Sequence, residues 1–432
     1  MNNLAVELNS QLEGTVAYRM FSELGRRMYF PKGIVAQAAE AKQRAHRFNA
    51  TVGMAYQGGD VMTLPVMRDL TAPLGPSETA AYAPTAGVKE LRTRWKTEME
   101  RKNPSLHGKP TTLPAVVPGL TAGISLIATL FADTDTVLLL PDLFWGNYRL
   151  IFEETRGSRL REFEFFNAEG RFNREGFADG ARSAAGAGKL IVLLNFPNNP
   201  SGFSPGPEDV QFIVRTLTSL ADSVPLMVIC DDAYFGLYYT DDTYRQSVFA
   251  ELADAHPNLL AVKIDGATKE DFVWGFRVGF VTYAYKGITD DHATALEQKT
   301  TGAIRAAVSS SSMLSQSLLL HAINHPSYQS QKDQAFEVLR SRFARLQAIL
   351  ERKRDTHRAP SLEALPANSG YFMSFRCHGI ESEELRQRLL DKGVGTIAVK
   401  NTFLRVAFAG IDEDQLEDLY EVIFQTAEEL AS

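Results

Sequence analysis

Short hydrophobic runs alternate with amphipathic stretches through the middle of the chain. Each run spans five to seven positions and is mostly hydrophobic, a pattern that indicates strands buried on both faces. The runs lie at residues 114–118, 136–140, 189–195, 226–231, 259–265 and 278–283. The stretches between them predict helices, for example one opening at Thr121 and one after the turn at 207–210. This alternation predicts an α/β fold with a mainly parallel central sheet.

The pattern changes in the last third of the chain. Hydrophobic residues recur at spacings of three and four from Phe336 to Leu350, which predicts one long amphipathic helix. A strand, a helix, two short strands and a closing helix are predicted after it. We therefore expect three parts: an N-terminal arm with part of a small domain (1–55), a large domain (56–325) and a smaller C-terminal α/β domain (326–432).

Composition and charge narrow the class of protein. The 432 residues are 44% hydrophobic and 22% charged, which is typical of a globular chain rather than a disordered one. The formal net charge is −7, so no basic field would attract nucleic acid or an anionic membrane. No hydrophobic run approaches the length of a membrane span. We expect neither nucleic acid nor a membrane among the partners.

The cysteines and the first residues bear on the cellular compartment. Cys230 lies inside a hydrophobic run, where a buried thiol is favoured over half of a disulfide, and Cys377 is the other cysteine. The first residues show no basic segment followed by a hydrophobic one, so no secretory signal is predicted. These features predict a cytoplasmic protein.

Polar residues with catalytic potential follow three consecutive predicted strands. Asn199 stands in the turn NFPNNPSG after one strand, and Asp231 and Tyr234 stand in DDAYFG after the next. Lys269 and Arg277 stand in GATKEDFVWGFRVGF after the strand that follows. Open α/β sheets bind ligands at the carboxyl ends of their strands, so we expect these side chains in one crevice.

Glycines surround the last of these residues. Gly275 and Gly279 flank Arg277, and glycine lets the backbone come close to a bulky group. On this stretch alone, Lys269 and Arg277 could equally be two solvated side chains. The rest of the chain decides between the two interpretations.

The stretch VPGLTAGIS supplies a candidate anion site. Gly119, Leu120 and Thr121 open a predicted helix there, and the free N–H groups of a first helical turn suit a phosphate. The chain thus offers a lysine, a phosphate site, a carboxylate, a phenol and a carboxamide. Pyridoxal phosphate requires this set, because the lysine bonds to it covalently and an acid keeps its ring nitrogen protonated.

Three motifs resemble, in the same order, those of the fold-type-I pyridoxal-phosphate enzymes, and within them the class I/II aminotransferases. NNPSG resembles Asn-Pro-Ser/Thr-Gly, DDAY resembles Asp-x-Ala-Tyr, and TKEDFVWGFRVG resembles a lysine followed after seven residues by Arg-x-Gly. The resemblance runs from about residue 48 to 410. It implies an aspartate aminotransferase-like fold, pyridoxal 5′-phosphate as the cofactor, and a homodimer with shared active sites. No metal site is expected, because no acidic residue completes one with His321 and His325.

The resemblance implies a role for each matching residue. Lys269 would be the Schiff-base lysine, Asp231 would pair with the ring nitrogen, and Arg277 would bind the phosphate. Asn199 and Tyr234 would contact the ring oxygen of the cofactor.

Further segments resemble the aspartate aminotransferases in particular. FWGNY would place Trp145 against the ring and beside the substrate, and YAPTAG would carry Tyr82 to the phosphate of the other subunit. ATVGMAYQGGDVMTLPVMR would place Gly53 over the substrate, which Asn199 would also border. FLRVAF carries Arg405, the candidate clamp for the substrate α-carboxylate, since a planar guanidinium binds a carboxylate through two parallel bonds.

Some positions depart from the family pattern. Gly266 stands where the family has a serine three residues before the lysine, so Thr268 is the candidate replacement contact to the cofactor. Tyr148 stands where aspartate aminotransferases have histidine. Arg305 falls where the family's second arginine binds a distal carboxylate from the neighbouring subunit, and it could equally be an interface or solvent-facing residue. These departures leave the identity of the substrate open.

The expected activity is the transfer of an amino group from an L-amino acid, aspartate or an aromatic one, to a 2-oxo acid by a ping-pong mechanism. A β-lyase or an amino-acid decarboxylase could use the same cofactor residues, because a fold does not fix a reaction. A transcription regulator with this fold is disfavoured by the acidic net charge. A binding protein without activity is disfavoured because the chain retains the cofactor motifs.

Overall fold

The computed structural model describes residues 1–29, 33–69, 73–356 and 361–431. The strands are β1 (Phe48–Asn49), β2 (Tyr56–Gln57), β3 (Asp60–Val61), β4 (Ala115–Val117), β5 (Val137–Pro141), β6 (Arg159–Phe163), β7 (Leu190–Asn195), β8 (Leu226–Asp231), β9 (Leu259–Asp265), β10 (Gly279–Ala284), β11 (Leu362–Ala364), β12 (Met373–Cys377), β13 (Val394–Gly395), β14 (Ile397–Val399) and β15 (Phe403–Val406).

The α-helices are α1 (Asn3–Leu12), α2 (Val16–Met20), α3 (Glu23–Arg27), α4 (Ile34–Arg44), α5 (Pro65–Arg68), α6 (Pro76–Thr79), α7 (Lys89–Lys102), α8 (Leu120–Phe131), α9 (Arg174–Ala185), α10 (Pro207–Ala221), α11 (Val248–Leu252), α12 (Ala267–Glu270), α13 (Asp290–Val308), α14 (Met313–Ile323), α15 (Tyr328–Thr356), α16 (Ser382–Asp391) and α17 (Leu416–Ala431). Short 3₁₀ turns cover Pro104–Leu106, Trp274–Phe276, Phe408–Gly410 and Glu413–Gln415, and Arg149–Glu154 forms a π-helical turn. None of the helices in the described parts of the chain is both long and apolar enough to cross a membrane.

The central sheet confirms the predicted α/β fold. Its seven strands lie in the order β4-β10-β9-β8-β7-β5-β6. The pairs from β6 through to β9 are parallel, and β10 runs antiparallel to both of its neighbours. All the hydrophobic runs singled out in the sequence become strands of this sheet, because each of these strands has neighbours or helices on both faces.

The sheet also contains one strand that the hydrophobic pattern did not predict. This strand, β6, has the sequence RLREF, and most of its side chains are exposed. It lies at the edge of the sheet, with β5 as its one neighbour. An edge strand tolerates charged side chains, and these protect it against pairing with the edge of another sheet. The strand therefore carries no hydrophobic run.

A second core lies in the C-terminal part of the chain. Strands β11, β12, β15 and β14 form an antiparallel sheet in that order, and the hydrophobic faces of α15, α16 and α17 pack with it. Strand β1 pairs in parallel with β13, so the N-terminal segment joins this part of the structure. The domain boundaries near residues 55 and 325 stay predictions.

Candidate active site

A pocket of about 270 Å³ opens beyond the carboxyl ends of β7, β8 and β9. This edge of a parallel sheet is where α/β proteins bind ligands. The structure brings most of the predicted site residues together there, namely Gly53, Leu120, Thr121, Trp145, Asn199, Asp231, Tyr234, Thr268, Lys269, Arg277 and Arg405.

Three predicted site residues do not line the pocket. Gly119 is the N-cap of α8 and precedes the lining residue Leu120 in the chain. Tyr82 is 92% exposed, and Arg305 is exposed on α13, where its Nη1 donates a hydrogen bond to Ser309 Oγ at 2.6 Å. The roles expected for Tyr82 and Arg305 lie in a neighbouring subunit, so these roles stay predictions.

The carboxylate of Asp231 is held at the end of β8. Its Oδ2 accepts a hydrogen bond from Tyr148 Oη at 2.5 Å, and its Oδ1 accepts one from the N–H of Ala233 at 3.1 Å. Burial raises the pKa of Asp231, while the hydrogen bond from Tyr148 and the charge of Lys269 oppose that rise. A buried carboxylate with both oxygens oriented in this way is suited to a cationic ring nitrogen.

The backbone around Lys269 is tightly constrained. A Cβ at Gly266 would lie 2.6 Å from the carbonyl oxygen of Val278, so only glycine allows β9 to turn into α12 this close to β10. This crowding gives the physical reason for the missing serine at position 266. The hydroxyl of Tyr371 donates to the carbonyl oxygen of Lys269 at 3.0 Å and fixes the short helix from the other side.

Lys269 is half-buried, and its amine has no ion-pair partner among the described residues. Its Nζ lies 5.0 Å from the ring centroid of Tyr234. Burial lowers the pKa of Lys269 to about 8, with Arg277 adding to this effect and Asp231 opposing it. A lysine with such a pKa has a substantial fraction of neutral, nucleophilic amine near neutral pH.

The predicted anion site is built around two glycines. Gly119 has φ +87°, which favours glycine, and a Cβ there would collide with the guanidinium of Arg277. A Cβ at Gly279 would lie 3.0 Å from the carbonyl carbon of Gly119. Gly275 has open space around it, so the close-approach interpretation applies to Gly279 and not to Gly275.

Donors converge on this anion site, and no described carboxylate neutralises them. Thr268 Oγ1 is buried and has no hydrogen-bond partner among the described residues. Arg277 donates to the carbonyl oxygen of Trp274 at 3.1 Å and pairs with none of the described carboxylates. The first turn of α8, from Leu120, adds free N–H groups and the positive end of a helix dipole. A phosphate fits these donors.

The turn after β7 is fixed by an asparagine that the sequence analysis did not assign. Asn195 Nδ2 donates to the carbonyl oxygen of Asp231 at 2.8 Å, and its Oδ1 accepts the N–H of Asn199 at 2.8 Å. Asn199 Oδ1 accepts from Arg405 Nη1 at 3.0 Å. The side-chain oxygen of Asn199 is therefore occupied, which leaves its amide nitrogen as a donor toward a ligand.

Arg405 is 2% exposed, yet none of the described carboxylates pairs with it. Its Nη2 donates to the carbonyl oxygen of Thr51 at 2.7 Å, its Nε has no partner, and its guanidinium lies 4.3 Å from the ring centroid of Phe372. Burial lowers the pKa of Arg405 to about 10. Burying an unpaired cation is costly, and a carboxylate brought by a ligand would offset that cost.

Aromatic rings complete the walls. Trp145 lines the pocket and meets the ring of Tyr148 edge-on, with centroids 5.4 Å apart. A Cβ at Gly53 would lie 3.3 Å from both Tyr234 Oη and Phe372 Cζ, so the absence of a side chain there keeps the pocket open.

Several lining residues were not assigned from the sequence, among them Ile34, Asn195, Trp274 and Phe372. Asn195 could have been found, because it begins the motif that carries Asn199. Tyr148 was noted as a departure from the family, and its bond to Asp231 now gives it a place in the site. Local pattern gives no signal for Ile34 or Phe372, which reach the pocket from distant parts of the chain.

The family comparison bears directly on this arrangement. The family described as "Aminotransferase class I and II" matches residues 55–423, which is most of the chain. The chain belongs to the class I and II aminotransferases. Members of this family depend on pyridoxal phosphate, and the lysine, the buried acid and the converging phosphate donors of this aminotransferase fit that cofactor.

Solved structures of other aminotransferases share the fold of this aminotransferase. An aminotransferase from Anaerococcus prevotii is similar with a TM-score of 0.84 at 20% identity, covering 96% of this chain and 100% of the other. The kynurenine aminotransferase of Pyrococcus horikoshii in complex with PMP gives 0.78 at 15% identity, covering 96% and 98%. A Thermus thermophilus aspartate aminotransferase mutant gives 0.73 at 19% identity, covering 94% and 99%. No curated protein sequence matches the chain.

Proposed function

We propose that this aminotransferase binds pyridoxal 5′-phosphate in the pocket and moves an amino group from an L-amino acid to a 2-oxo acid by a ping-pong mechanism. The observation that carries the proposal is the juxtaposition, in one pocket, of the half-buried Lys269 and the buried Arg405 with the buried acid Asp231, since neither cation has a carboxylate partner among the described residues. The bound cofactor supplies an electron-accepting ring and holds the amino group between the two half-reactions.

Arg405 positions the substrate. Its guanidinium binds the α-carboxylate, and its contact with Asn199 Oδ1 at 3.0 Å fixes its orientation. Because the carboxylate is clamped, the Cα–H bond can be held in the one direction in which proton loss is favoured over loss of the carboxylate.

Lys269 moves the proton. Its amine would hold the cofactor covalently in the resting enzyme and would take the proton from the substrate Cα during the reaction. The lowered pKa of about 8 suits this task, because a general base works best when its pKa lies near the operating pH.

Asp231 and its neighbours set the protonation and hydrogen bonding of the cofactor ring. The carboxylate of Asp231 keeps the ring nitrogen protonated, and Tyr148 holds that carboxylate in place. Tyr234 and the amide nitrogen of Asn199 donate to the ring oxygen. Thr268, Arg277 and the start of α8, with Gly119, Leu120 and Thr121, would bind the phosphate. Trp145 would contact the ring. Gly53 leaves room for the substrate.

We further propose that the enzyme is a cytoplasmic homodimer. Tyr82 is almost fully exposed in the single chain, as expected for a residue that completes the phosphate site of a second subunit. The site of one chain would then be incomplete without its partner.

The test is a half-reaction with one amino acid and no 2-oxo acid. The expected product is at most one equivalent of the matching 2-oxo acid per site, with the amino group retained until a second 2-oxo acid is added. Repeated turnover with release of ammonia or carbon dioxide would instead indicate the lyase or the decarboxylase and would contradict the proposal.

A further inference from the structure

Every cation that lines the pocket among the described residues already has a role in the proposed function, so none is left to bind a charged substrate side chain. Among the described lining residues the cations are Lys269, Arg277 and Arg405. In the proposed function Lys269 bonds to the cofactor, Arg277 binds its phosphate and Arg405 binds the α-carboxylate. None of the described lining residues offers a further cation to a second carboxylate, and burying a carboxylate without a partner is strongly unfavourable.

Two aromatic side chains, Phe372 and Trp274, line the pocket. At the carboxylate end, the ring of Phe372 lies 4.3 Å below the guanidinium of Arg405 and is 1% exposed. The ring of Trp274 also lines the pocket, with its centroid 6.4 Å from that of Tyr371, whose hydroxyl donates to the carbonyl oxygen of Lys269. Aromatic surface is therefore available in the pocket for a substrate side chain.

The rest of this wall is also uncharged. Ile34, at the start of α4, lines the pocket, and Gly53 leaves space next to Phe372. Trp274 Nε1 is buried and has no hydrogen-bond partner among the described residues, so it could donate to an uncharged polar group of a ligand.

Arg305 does not supply the missing charge from within the same chain. It does not line the pocket, its side chain is exposed, and its Nη1 is bound to Ser309 Oγ at 2.6 Å. A role for it would require delivery by a second subunit.

On these grounds we infer that the enzyme acts on amino acids with large uncharged side chains, aromatic ones first, with Trp274 and Phe372 as the residues that determine this specificity. The inference rests on the proposed function and narrows the substrate class of the same site. The pocket suits an aromatic side chain, because such a ring is stabilised both by burial and by contact with the rings of Trp274 and Phe372.

Binding of unreactive carboxylates to the holoenzyme tests this inference without turnover. Isothermal titration calorimetry with 3-phenylpropionate and with succinate compares an aromatic group with a second carboxylate at one site. Burial of the ring is expected to make 3-phenylpropionate bind about 10- to 100-fold more tightly than succinate. Equal binding, or tighter binding of succinate, would overturn the inference.

A matched pair of variants assigns the effect to Trp274. W274A is expected to weaken binding of 3-phenylpropionate by about tenfold while changing succinate binding by much less. W274F keeps a ring at the position and is expected to restore most of the affinity. If both ligands lose affinity equally in W274A and W274F, Trp274 supports the site without selecting the side chain, and its assignment is wrong. The comparison of the two ligands on the unmodified enzyme stands even if a variant does not fold.

The half-reaction separates this inference from the proposed function. The rate at which the visible cofactor band is lost is measured with L-phenylalanine, L-leucine and L-aspartate in turn. Faster conversion by L-phenylalanine than by L-aspartate, by about tenfold or more, is expected. Faster conversion by L-aspartate overturns the inference and leaves the transaminase standing, with R305Q as the variant that then shows whether Arg305 reads the second carboxylate. Conversion by none of a full panel of amino acids overturns both.

Discussion

Two lysines six positions apart in the chain, one buried and one half-buried at the pocket, have opposite surroundings. Lys263, on β9, is 1% exposed, is in contact with Asp232 and pairs with Asp265 at 3.2 Å. These carboxylates raise the pKa of Lys263 above its usual range despite burial. Lys269, beyond the end of the same strand, has no ion-pair partner among the described residues, and burial lowers its pKa to about 8.

Two buried arginines show the same contrast. Arg342 and Arg405 are each 2% exposed, and Arg342 pairs with Asp412 at 2.8 Å while Arg405 pairs with none of the described carboxylates. Where both charges of a pair are present, the ion pair has a structural role. A buried cation left without its acid is unfavourable for the isolated fold, and it marks where a ligand must bring the missing group.

The largest effects are expected when each lysine is replaced in turn, which tests whether Lys269 is catalytic and Lys263 structural. Lys269→Ala should lower the rate of the half-reaction by about 10²- to 10⁴-fold, because the group that moves the Cα proton is gone. The rate is measured by stopped-flow absorbance on protein that has been shown to retain the cofactor. Activity close to that of the unmodified enzyme would remove Lys269 from the mechanism.

Lys263→Met should act on folding instead. It leaves Asp232 and Asp265 buried without their cation, and breaking such a pair costs about 3–5 kcal/mol of unfolding free energy. Urea denaturation of the cofactor-free protein measures the loss. Protein that still folds should form its covalent bond to the cofactor at Lys269, and a loss of that bond with unchanged stability would reverse the roles given to the two lysines.

The pH dependence of stability tests the lowered pKa of Lys269. The unfolded chain keeps a proton on Lys269 up to about pH 10.5, whereas the cofactor-free fold releases it near pH 8. Between these values the unfolded state binds more protons, so the fold gains stability as the pH rises. Relative to Lys269→Ala, the cofactor-free wild type should gain about 3 kcal/mol between pH 8 and 10.5, from the lowered pKa. A flat difference between the two proteins across this range would contradict the lowered pKa.

Among the arginines, Arg405→Gln should weaken carboxylate binding and Arg342→Gln should not. Loss of charge-assisted hydrogen bonds costs about 1.5–3 kcal/mol, or roughly a 10- to 150-fold rise in the dissociation constant. Calorimetry with one unreactive carboxylate on both holoenzyme variants makes the comparison. Equal weakening in the two variants would mean that Arg405 is as structural as Arg342.

The smallest effect is expected at Tyr148. Tyr148→Phe removes the hydrogen bond that lowers the pKa of Asp231, so that pKa should rise and the acid limb of the half-reaction rate should move to higher pH. Below neutral pH the loss should be about tenfold, corresponding to about 1.5 kcal/mol. A uniform loss at every pH would point to damage of the pocket instead.

Local sequence was sufficient for much of the fold and part of the site. Buried strands such as β8 carry continuous hydrophobic runs, and the polar residue at the end of such a strand, Asp231, lies at the ligand-binding edge for topological reasons. The edge strand β6 has no such run, because one of its sides faces solvent.

Contacts across long stretches of chain could not be predicted in this way. Tyr148 reaches Asp231 over 83 positions, and Arg405 reaches Asn199 over 206. The first pair depends on the order of strands in the central sheet and the second on how the two sheets meet, and neither is recorded in the local hydrophobic pattern. The crowding at Gly266 likewise depends on β10, so the sequence showed the missing serine without its cause.

The most direct test of the central claim is to find which lysine bonds to the cofactor. The holoenzyme is reduced with borohydride, digested, and its peptides are mapped by mass spectrometry for the pyridoxyl group. We expect the label on Lys269 and none on Lys263. A label on another lysine, or none on a protein that has bound the cofactor, would contradict the distinction between the paired and the unpaired lysine on which this account rests.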